Sequence, residues 1–348
     1  MPKPSKKSFL KIPKHCRKSS SQFSEIRPKS PIIAMPAWEN LPRSHPKSQN
    51  SSAPNVGVFC QSGARVGMGH FSRCVLLVDL LKSLGVCVEF YHYDDSAKMP
   101  LAEGILPLLE GLDVAIIDSY EISSSQFLEI AHRVRRLMII DDVARISFPP
   151  GSVILNGGIH TKELYAGHLG PVYAGLEYMI YDKTFCQNKI IAPKIQRILL
   201  CFGGSDEGNY TQRVTKILEK LEYDVIIVLG AHYVHHLSTH FEVLRNIDAK
   251  KLAWLFAEVD LAIVSGGRMV NEAILSQVPT LVLPIAKNQE HQVGIYDAMH
   301  LVQKTSLEDL AQKIPLLDFA TREAMARNCA RMQFGSRLKD CLLEILRG

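Results

Sequence analysis

The chain has 348 residues, enough for two domains at roughly 100–200 residues each. Its 47% hydrophobic and 22% charged residues exclude a mostly disordered chain, a collagen and a coiled coil. No apolar run approaches the roughly 20 residues that a membrane-spanning helix needs, which excludes an integral helical membrane protein. The net charge of +5 is unevenly spread: residues 1–53 hold eleven Lys or Arg against Glu25 and Glu39, so the remainder is acidic overall. No basic stripe across the folded part follows, and nucleic acid is not its expected partner.

Residues 1–53 are rich in Ser, Pro and Lys and show little periodicity, the composition of a disordered basic tail. They lack the apolar stretch of a secretory signal. A transit peptide and a start at Met35 are the alternatives that the composition leaves open. The eight cysteines are scattered without a C-x-x-C pair, and Cys60, Cys74, Cys87 and Cys201 fall in apolar runs. They read as small buried hydrophobes in a reducing, cytoplasmic setting.

From Asn55 onward the pattern is regular. VGVFC (56–60) reads as a buried strand. A helix starts near Gly69, with Phe71, Cys74, Val75, Val78 and Leu81 on one face and Gly85 ending it. VCVEFYHY (86–93), DVAIID (113–118) and RLMIID (136–141) are further strands, with helical stretches near 101–110 and 123–134. SVIL (152–155) and EYMIY (177–181) close this half. Residues 182–193 read as a linker. A second series begins with RILLCFGG (197–204) and runs through strands DVIIVLG (224–230), DLAIVSGG (260–267) and TLVLPI (280–285). Helices are predicted near 208–221, 250–257, 269–276, 288–299, 306–314, 319–332 and 336–346. The alternation predicts an α/β chain with two separately wound parallel sheets, over residues 54–181 and 194–348.

In such sheets ligands bind beyond the carboxyl ends of the strands, so the loops there carry the functional reading. In GMGHFSRC (67–74), Gly67 and Gly69 allow close backbone approach, and His70 stands at a helix start where an imidazole can act as a general base. A tight turn capped by His70 fits the same string. In FGGSDEGN (202–209), Gly204 and Ser205 belong to a compact, amide-rich turn, with Asp206 equally suited to a helix cap. In SGGRMVNEA (265–273), the amides of Gly266, Gly267 and Arg268 suit a diphosphate at a helix N-terminus. Glu272 suits the two hydroxyls of a ribose there, or simply a solvated first turn. In PIAKNQEHQ (284–292), Asn288 and Gln289 suit either sugar contacts or helix capping. Asp118 and Tyr120 follow a strand end, and Asp141 and Asp142 follow another, where Asx turns are equally expected. No metal set, Walker A string, G-x-S-x-G elbow or full G-x-G-x-x-G fingerprint is present.

The strings VGMGHFSRC (66–74), AIIDSY (115–120), IIDDVAR (139–145), CFGGSDEGN (201–209) and SGGRMVNEAILSQVPTLVLPIAKNQEHQ (265–292) occur in an order and spacing that resembles the GT-B nucleotide-sugar enzymes. Among these the chain is most similar to the UDP-2,4-diacetamido-2,4,6-trideoxy-β-L-altropyranose hydrolases of pseudaminic acid biosynthesis, a group similar to the UDP-GlcNAc transferase of peptidoglycan synthesis. The resemblance spans roughly residues 55–300. It implies a GT-B fold, with two Rossmann-like domains whose parallel sheets face a cleft. It also implies that His70 is the base that activates water, and that Asp118 and Tyr120 line the sugar site. Gly204 and Ser205 match the cleft-lining turn, the amides around Gly267 the diphosphate cradle, Glu272 the ribose acceptor, and Asn288 with Gln289 a pair near the sugar. The chain departs from the family at 59–63. There Phe59, Cys60, Gln61, Ser62 and Gly63 replace an Arg-x-Asp-x-Ser stretch, and Ser119 stands where His is common.

The expectation is therefore a metal-independent, inverting UDP-sugar hydrolase that needs no cofactor. The first domain would carry sugar and base, and the second UDP. A glycosyltransferase, with His70 acting on an acceptor hydroxyl, is the second reading. A non-catalytic nucleotide-sugar binder, favoured by the departures near Gln61, is the third. The partner expected is the UDP-sugar itself, with neither nucleic acid nor integral membrane association. The oligomeric state and the sugar's substituents are not specified by the sequence.

Overall fold

The computed structural model describes residues 33–34, 53–62, 69–94, 104–204 and 206–347. All of them fall within one compact unit, Ile32–Gly348. Its first half contains β1 (Ile33–Ala34), β2 (Asn55–Ser62), α1 (Gly69–Ser83), β3 (Cys87–Asp94), β4 (Val114–Asp118), α2 (Ser124–Ala131), β5 (Arg136–Ile140), β6 (Val153–Asn156) and β7 (Val172–Ala174). The strands form one sheet in the order β1-β3-β2-β4-β5-β6-β7, and every pair is parallel.

This order follows from the residues. All five residues of β4 are buried, as a strand covered on both faces requires. Alternate side chains then feed two cores. Val56, Val58, Val114 and Ile116 pack on the α1 side, and Phe59, Ala115 and Ile117 on the α2 side. Helix α2 starts at a capping box, in which the Ser123 hydroxyl accepts from the Gln126 N–H and the Gln126 side chain accepts from the Ser123 N–H.

The second half contains β8 (Arg197–Cys201), α3 (Tyr210–Leu218), β9 (Asp224–Leu229), β10 (Glu242–Arg245), α4 (Ala249–Glu258), β11 (Leu261–Ser265), α5 (Arg268–Leu275), β12 (Thr280–Leu283), α6 (Glu290–Ala298), β13 (Gln303–Lys304), α7 (Leu310–Leu316), α8 (Phe319–Ala330) and α9 (Leu338–Arg347). Its sheet runs β10-β9-β8-β11-β12-β13, again all parallel. This is the doubly wound order. The direction of winding reverses between β8 and β11, as it does between β2 and β4 in the first sheet, and these reversals open crevices at the strands' carboxyl ends.

Several expectations are corrected. EYMIY (177–181) is not a strand. Gly175, at φ 138°, turns the chain after β7, and Leu176–Tyr178 form a single 3₁₀ turn. The segment is apolar because it passes between cores: Tyr178 packs with the first and Met179 with the second. Of the helical stretch expected near 101–110, residues 101–103 lie outside the described residues, 104–105 are helical, and the chain passes into a 3₁₀ turn over Leu106–Leu108 containing Pro107, which has no N–H to continue an α-helix. Strand β10 escapes the sequence reading because its four residues are exposed or half-buried at a sheet edge and make no apolar run. Helix α9 follows the second half in sequence but packs Leu338, Cys341, Leu342 and Ile345 into the α1 core of the first. Of residues 1–53, only Ile33–Ala34 and Ala53 are described; the first two pair with Tyr91 and His92 of β3. The seven described cysteines are all free.

One buried cation secures the linker. Arg322 of α8 is 1% exposed and donates to the carbonyls of Leu317, Ala192 and Pro193 at 3.1, 2.8 and 3.0 Å.

The return of α9 has a measurable consequence. Leu342 is 1% exposed within the first core. Leu342→Ala is expected to destabilise the protein by about 2–5 kcal/mol, read as a lowered urea midpoint. An unchanged midpoint would show that α9 does not close that core.

Candidate functional site

Strand β4 ends in Asp118, which is fully buried, and β2 lies beside it with Cys60 opposite Asp118 in register. Helix α1 begins in this crevice. Its residues His70 and Arg73 are three apart and therefore share a face. His70 Nδ1 lies 2.5 Å from Asp118 Oδ1. Arg73 donates Nε to Asp118 Oδ2 and Nη2 to Oδ1, both at 2.6 Å, and Nη1 to the two oxygens of Asp142, both at 2.8 Å. The Tyr120 hydroxyl donates to Asp142 Oδ2 at 2.6 Å, and its ring meets His70 edge-on, with centroids 4.7 Å apart.

The charges follow from these contacts. Burial alone would push the Asp118 carboxyl up, but the Arg73 guanidinium and the His70 hydrogen bond hold it well below the usual carboxylate range. Partial burial would push the Asp142 carboxyl up, but Arg73 holds it down; its side chain is 37% exposed at the cavity. Burial and the neighbouring Asp142 push the Tyr120 hydroxyl up, so it stays a neutral donor. With Asp118 ionised, a 2.5 Å contact to Nδ1 requires the proton on Nδ1. The lone pair of neutral His70 is then on Nε2, the arrangement that suits a base.

Gln61 gives the departure at 59–63 a structural role. Its Oε1 accepts from the Ser119 hydroxyl at 3.0 Å and the Tyr120 N–H at 3.2 Å, and so ties the end of β2 to the loop carrying Tyr120.

The opposite wall is built from β11 and α5. Gly267 precedes α5, whose first turn exposes unpaired amides. A side chain at Gly266 would collide with Val293 Cγ2 and crowd Gln289 Cβ, so only glycine lets α6 approach so closely. Gln289 Oε1 accepts from the N–H groups of Gly266 and Ile285 at 3.1 and 2.9 Å, which leaves only its NH₂ group to face a ligand. Arg268 Nε donates to Glu272 Oε1 at 2.9 Å, while Arg268 Nη1 is buried with no partner among the described residues. Burial raises the Glu272 carboxyl, against the pull of Arg268.

Both walls face one cavity of about 630 Å³, within the roughly 300–1,000 Å³ usual for small-ligand sites. Of the residues singled out by sequence, Gly69, His70, Tyr120, Gly266, Gly267, Arg268, Glu272 and Gln289 line it. Asp118 lies beneath His70 and does not line the cavity. Gly204 is not on this wall; its carbonyl accepts from the His232 N–H at 2.9 Å. Ser205 and the Asn288 side chain lie outside the described residues. Asp141 is the Asx anchor that the sequence allowed, accepting from the N–H groups of Val143 and Ala144. Its neighbour Asp142 is instead part of the cavity wall. The sequence reading missed Arg73, although its i, i+3 relation to His70 on an amphipathic helix was a usable signal. No group of three or more His, Cys, Asp or Glu able to hold a metal occurs among the described residues, and no helix there is long and apolar enough to cross a membrane.

Two doubly wound parallel sheets facing one cleft define a GT-B protein. The comparisons agree. The solved structure of MurG from Acinetobacter baumannii superposes with a TM-score of 0.57 at 14% identity, covering 84% of this chain and 99% of that one. In sequence the chain is 27% identical, over 84% of its length, to the pseudaminic acid cytidylyltransferase and UDP-2,4-diacetamido-2,4,6-trideoxy-beta-L-altropyranose hydrolase of Helicobacter pylori. It spans just over half (55%) of that relative. It is 24% identical to the UDP-2,4-diacetamido-2,4,6-trideoxy-beta-L-altropyranose hydrolase of Campylobacter jejuni, covering 66% of this chain and 91% of that one. No family model matches the chain.

The depressed Asp118 carboxyl makes stability pH-dependent with a defined sign. Its contribution is present above the unfolded value of about 3.9 and is lost as pH falls toward the folded one. Between about pH 5 and pH 2, wild type is expected to lose urea stability more steeply than Asp118→Asn. Parallel acid profiles would show that Asp118 is not held ionised.

Proposed function

We propose that the chain hydrolyses a UDP-linked amino-deoxy sugar of the 2,4-diacetamido-2,4,6-trideoxy-altropyranose kind to UDP and free sugar, in the pathway to pseudaminic-type nonulosonic acids. One observation carries this reading. A histidine with Nδ1 committed to a buried carboxylate stands on one wall of a cavity whose other wall is an amide-rich helix start. The names of the Helicobacter and Campylobacter relatives supply the substrate.

In this reading His70 Nε2 takes a proton from water as the water oxygen bonds to the anomeric carbon. The bond from that carbon to the β-phosphate oxygen breaks, and UDP leaves with the electron pair. Attack opposite the leaving group inverts the anomeric centre. The amides of Gly267 and Arg268 receive the diphosphate, while the Gly266 N–H is committed to Gln289 Oε1, and the orphaned Arg268 Nη1 supplies a charge-assisted donor. Glu272 accepts from the ribose hydroxyls. Tyr120 and Gly69 line the sugar side, with the NH₂ of Gln289 across from them.

The test is UDP release from a panel of UDP-activated amino- and deoxy-sugars without acceptor. Wild type is expected to release UDP and free sugar. His70→Gln is expected to lower kcat by about 10²- to 10⁴-fold while UDP still binds. Bound UDP with no release from any donor would sink the hydrolase reading. Release that appears only with an added acceptor alcohol would favour transfer instead.

A further inference from the structure

Arg73 is the most heavily engaged side chain at the cavity, yet the chemistry above gives it no part. Its guanidinium spends Nε and Nη2 on Asp118 and Nη1 on Asp142, and so joins α1, β4 and the turn after β5 through one planar group. Lysine could supply the charge but not this fork. The same Nη2 lies 3.1 Å from His70 Nδ1. An arginine this close would by itself oppose a second positive charge on the imidazole.

The count of charges resolves that conflict. Asp118 and Asp142 are both held ionised and Arg73 is cationic, so the cluster carries one net negative charge while His70 is neutral. Tyr120 and Cys74, which also touch these carboxylates, are both pushed up by burial and stay neutral. Protonating His70 brings the cluster to neutrality. Without Asp142 the cluster would already be neutral, and a protonated His70 would leave an uncompensated positive charge beside the buried Asp118.

We propose that Arg73 is a positioning residue that clamps Asp118 against His70, and that Asp142 is its counter-charge, so that the cluster is balanced only when His70 has accepted a proton. This rests on His70 acting as the base, but its test does not. The charged and titratable groups around the cluster are Arg73 and Cys74 on the His70 helix, Asp118 and Tyr120 from the β4 end, Asp142 beyond β5, and Cys60 of β2 beside Cys74. Asp182, Arg268, Glu272 and His291 line the same cavity.

The experiment is an NMR titration of the His70 imidazole in the full chain, assigned by its loss in His70→Gln. It is followed in wild type, Asp142→Asn, Arg73→Gln and Arg73→Lys, and paired with UDP binding and the pH profile of kcat/KM. Asp142→Asn removes one negative charge with little change in shape and is expected to lower the His70 midpoint by about 1 pH unit or more. Arg73→Gln removes the positive charge and is expected to raise it by a similar amount. Arg73→Lys keeps the charge but not the fork. It is expected to leave the midpoint near wild type and still lower kcat about 10-fold or more, the mark of lost positioning. UDP binding is expected to persist in all three, and the acid limb of the profile to move with the midpoint. A midpoint in Asp142→Asn that stays put or rises overturns the counter-charge. Full kcat in Arg73→Lys overturns the clamp. If wild type releases no UDP from any sugar, the hydrolase reading fails, and the midpoints still decide the charge balance.

Discussion

A carboxylate with no exposure to water is the constraint on which the cleft depends. Asp118 ends β4 at the point where the first sheet reverses its winding, and there is no solvent to stabilise its charge. The cost is offset by a bidentate guanidinium, one imidazole N–H and a thiol, all from α1. That requirement explains the local sequence. His70, Arg73 and Cys74 lie within five residues on a helix whose start must sit directly over the strand end. Asp142 then follows from Arg73, because a single carboxylate does not use the whole fork. Tyr120 follows from Asp142, and Gln61 from the need to hold the loop that carries Tyr120. The wall is a chain of satisfied polar groups in which each member accounts for the next.

The two walls of the cavity differ in sign. The first carries a fixed net negative charge in Asp118, Asp142 and Arg73. The second offers helix-start amides and a buried guanidinium nitrogen with no partner among the described residues. An anionic group entering such a cleft is directed to the second wall by attraction and repelled by the first. For the nucleotide-sugar proposed above, this would set the diphosphate on α5 and turn the anomeric carbon toward His70. The apolar residues between the walls, among them Ile140, Leu155, Ile159 and Met179, lower the local dielectric and so strengthen both effects.

Most of the fold was legible because strands buried on both faces read as short runs of Val, Ile and Leu, and each of the main ones is bounded by Gly, Asp or Ser. What escaped has a physical reason in each case. Strand β10 lies at an edge and carries no apolar pattern. Residues 177–181 look like a strand because a segment wedged between two cores is as apolar as one inside a sheet. Helix α9 shows its amphipathic face clearly, but nothing local says which core that face meets. At the site, His70, Tyr120, Gly267 and Glu272 were legible because strand-end loops announce themselves. The Arg73–Asp142 contact joins residues 69 apart, and only the tertiary fold brings them together. The sequence could not separate Asp141 from Asp142 either. The turn sends one into its own backbone and the other to the cavity.

At the joint between the two halves the side chains alternate between cores: Leu176 and Met179 pack in the second, and Tyr178 and Ile180 with the first. The chain crosses back between Phe334, in the second core, and Leu338, in the first. The two crossings are bonded to each other: Gly335 N–H donates to the Leu176 carbonyl and Arg337 N–H to the Glu177 carbonyl, both at 2.8 Å. A side chain at Gly335 would press into Tyr181, and its φ of +60° is one that glycine adopts without strain. Beyond the crossing, Arg322 fixes the linker at Ala192 and Pro193 to the second half. Met179, Ile180, Tyr181 and Asp182, which belong to or directly follow that joint, also line the cavity. The His70–Asp118–Arg73 cluster lies wholly within the first half, so the cavity wall joins residues of the linking segment to a cluster held within one half.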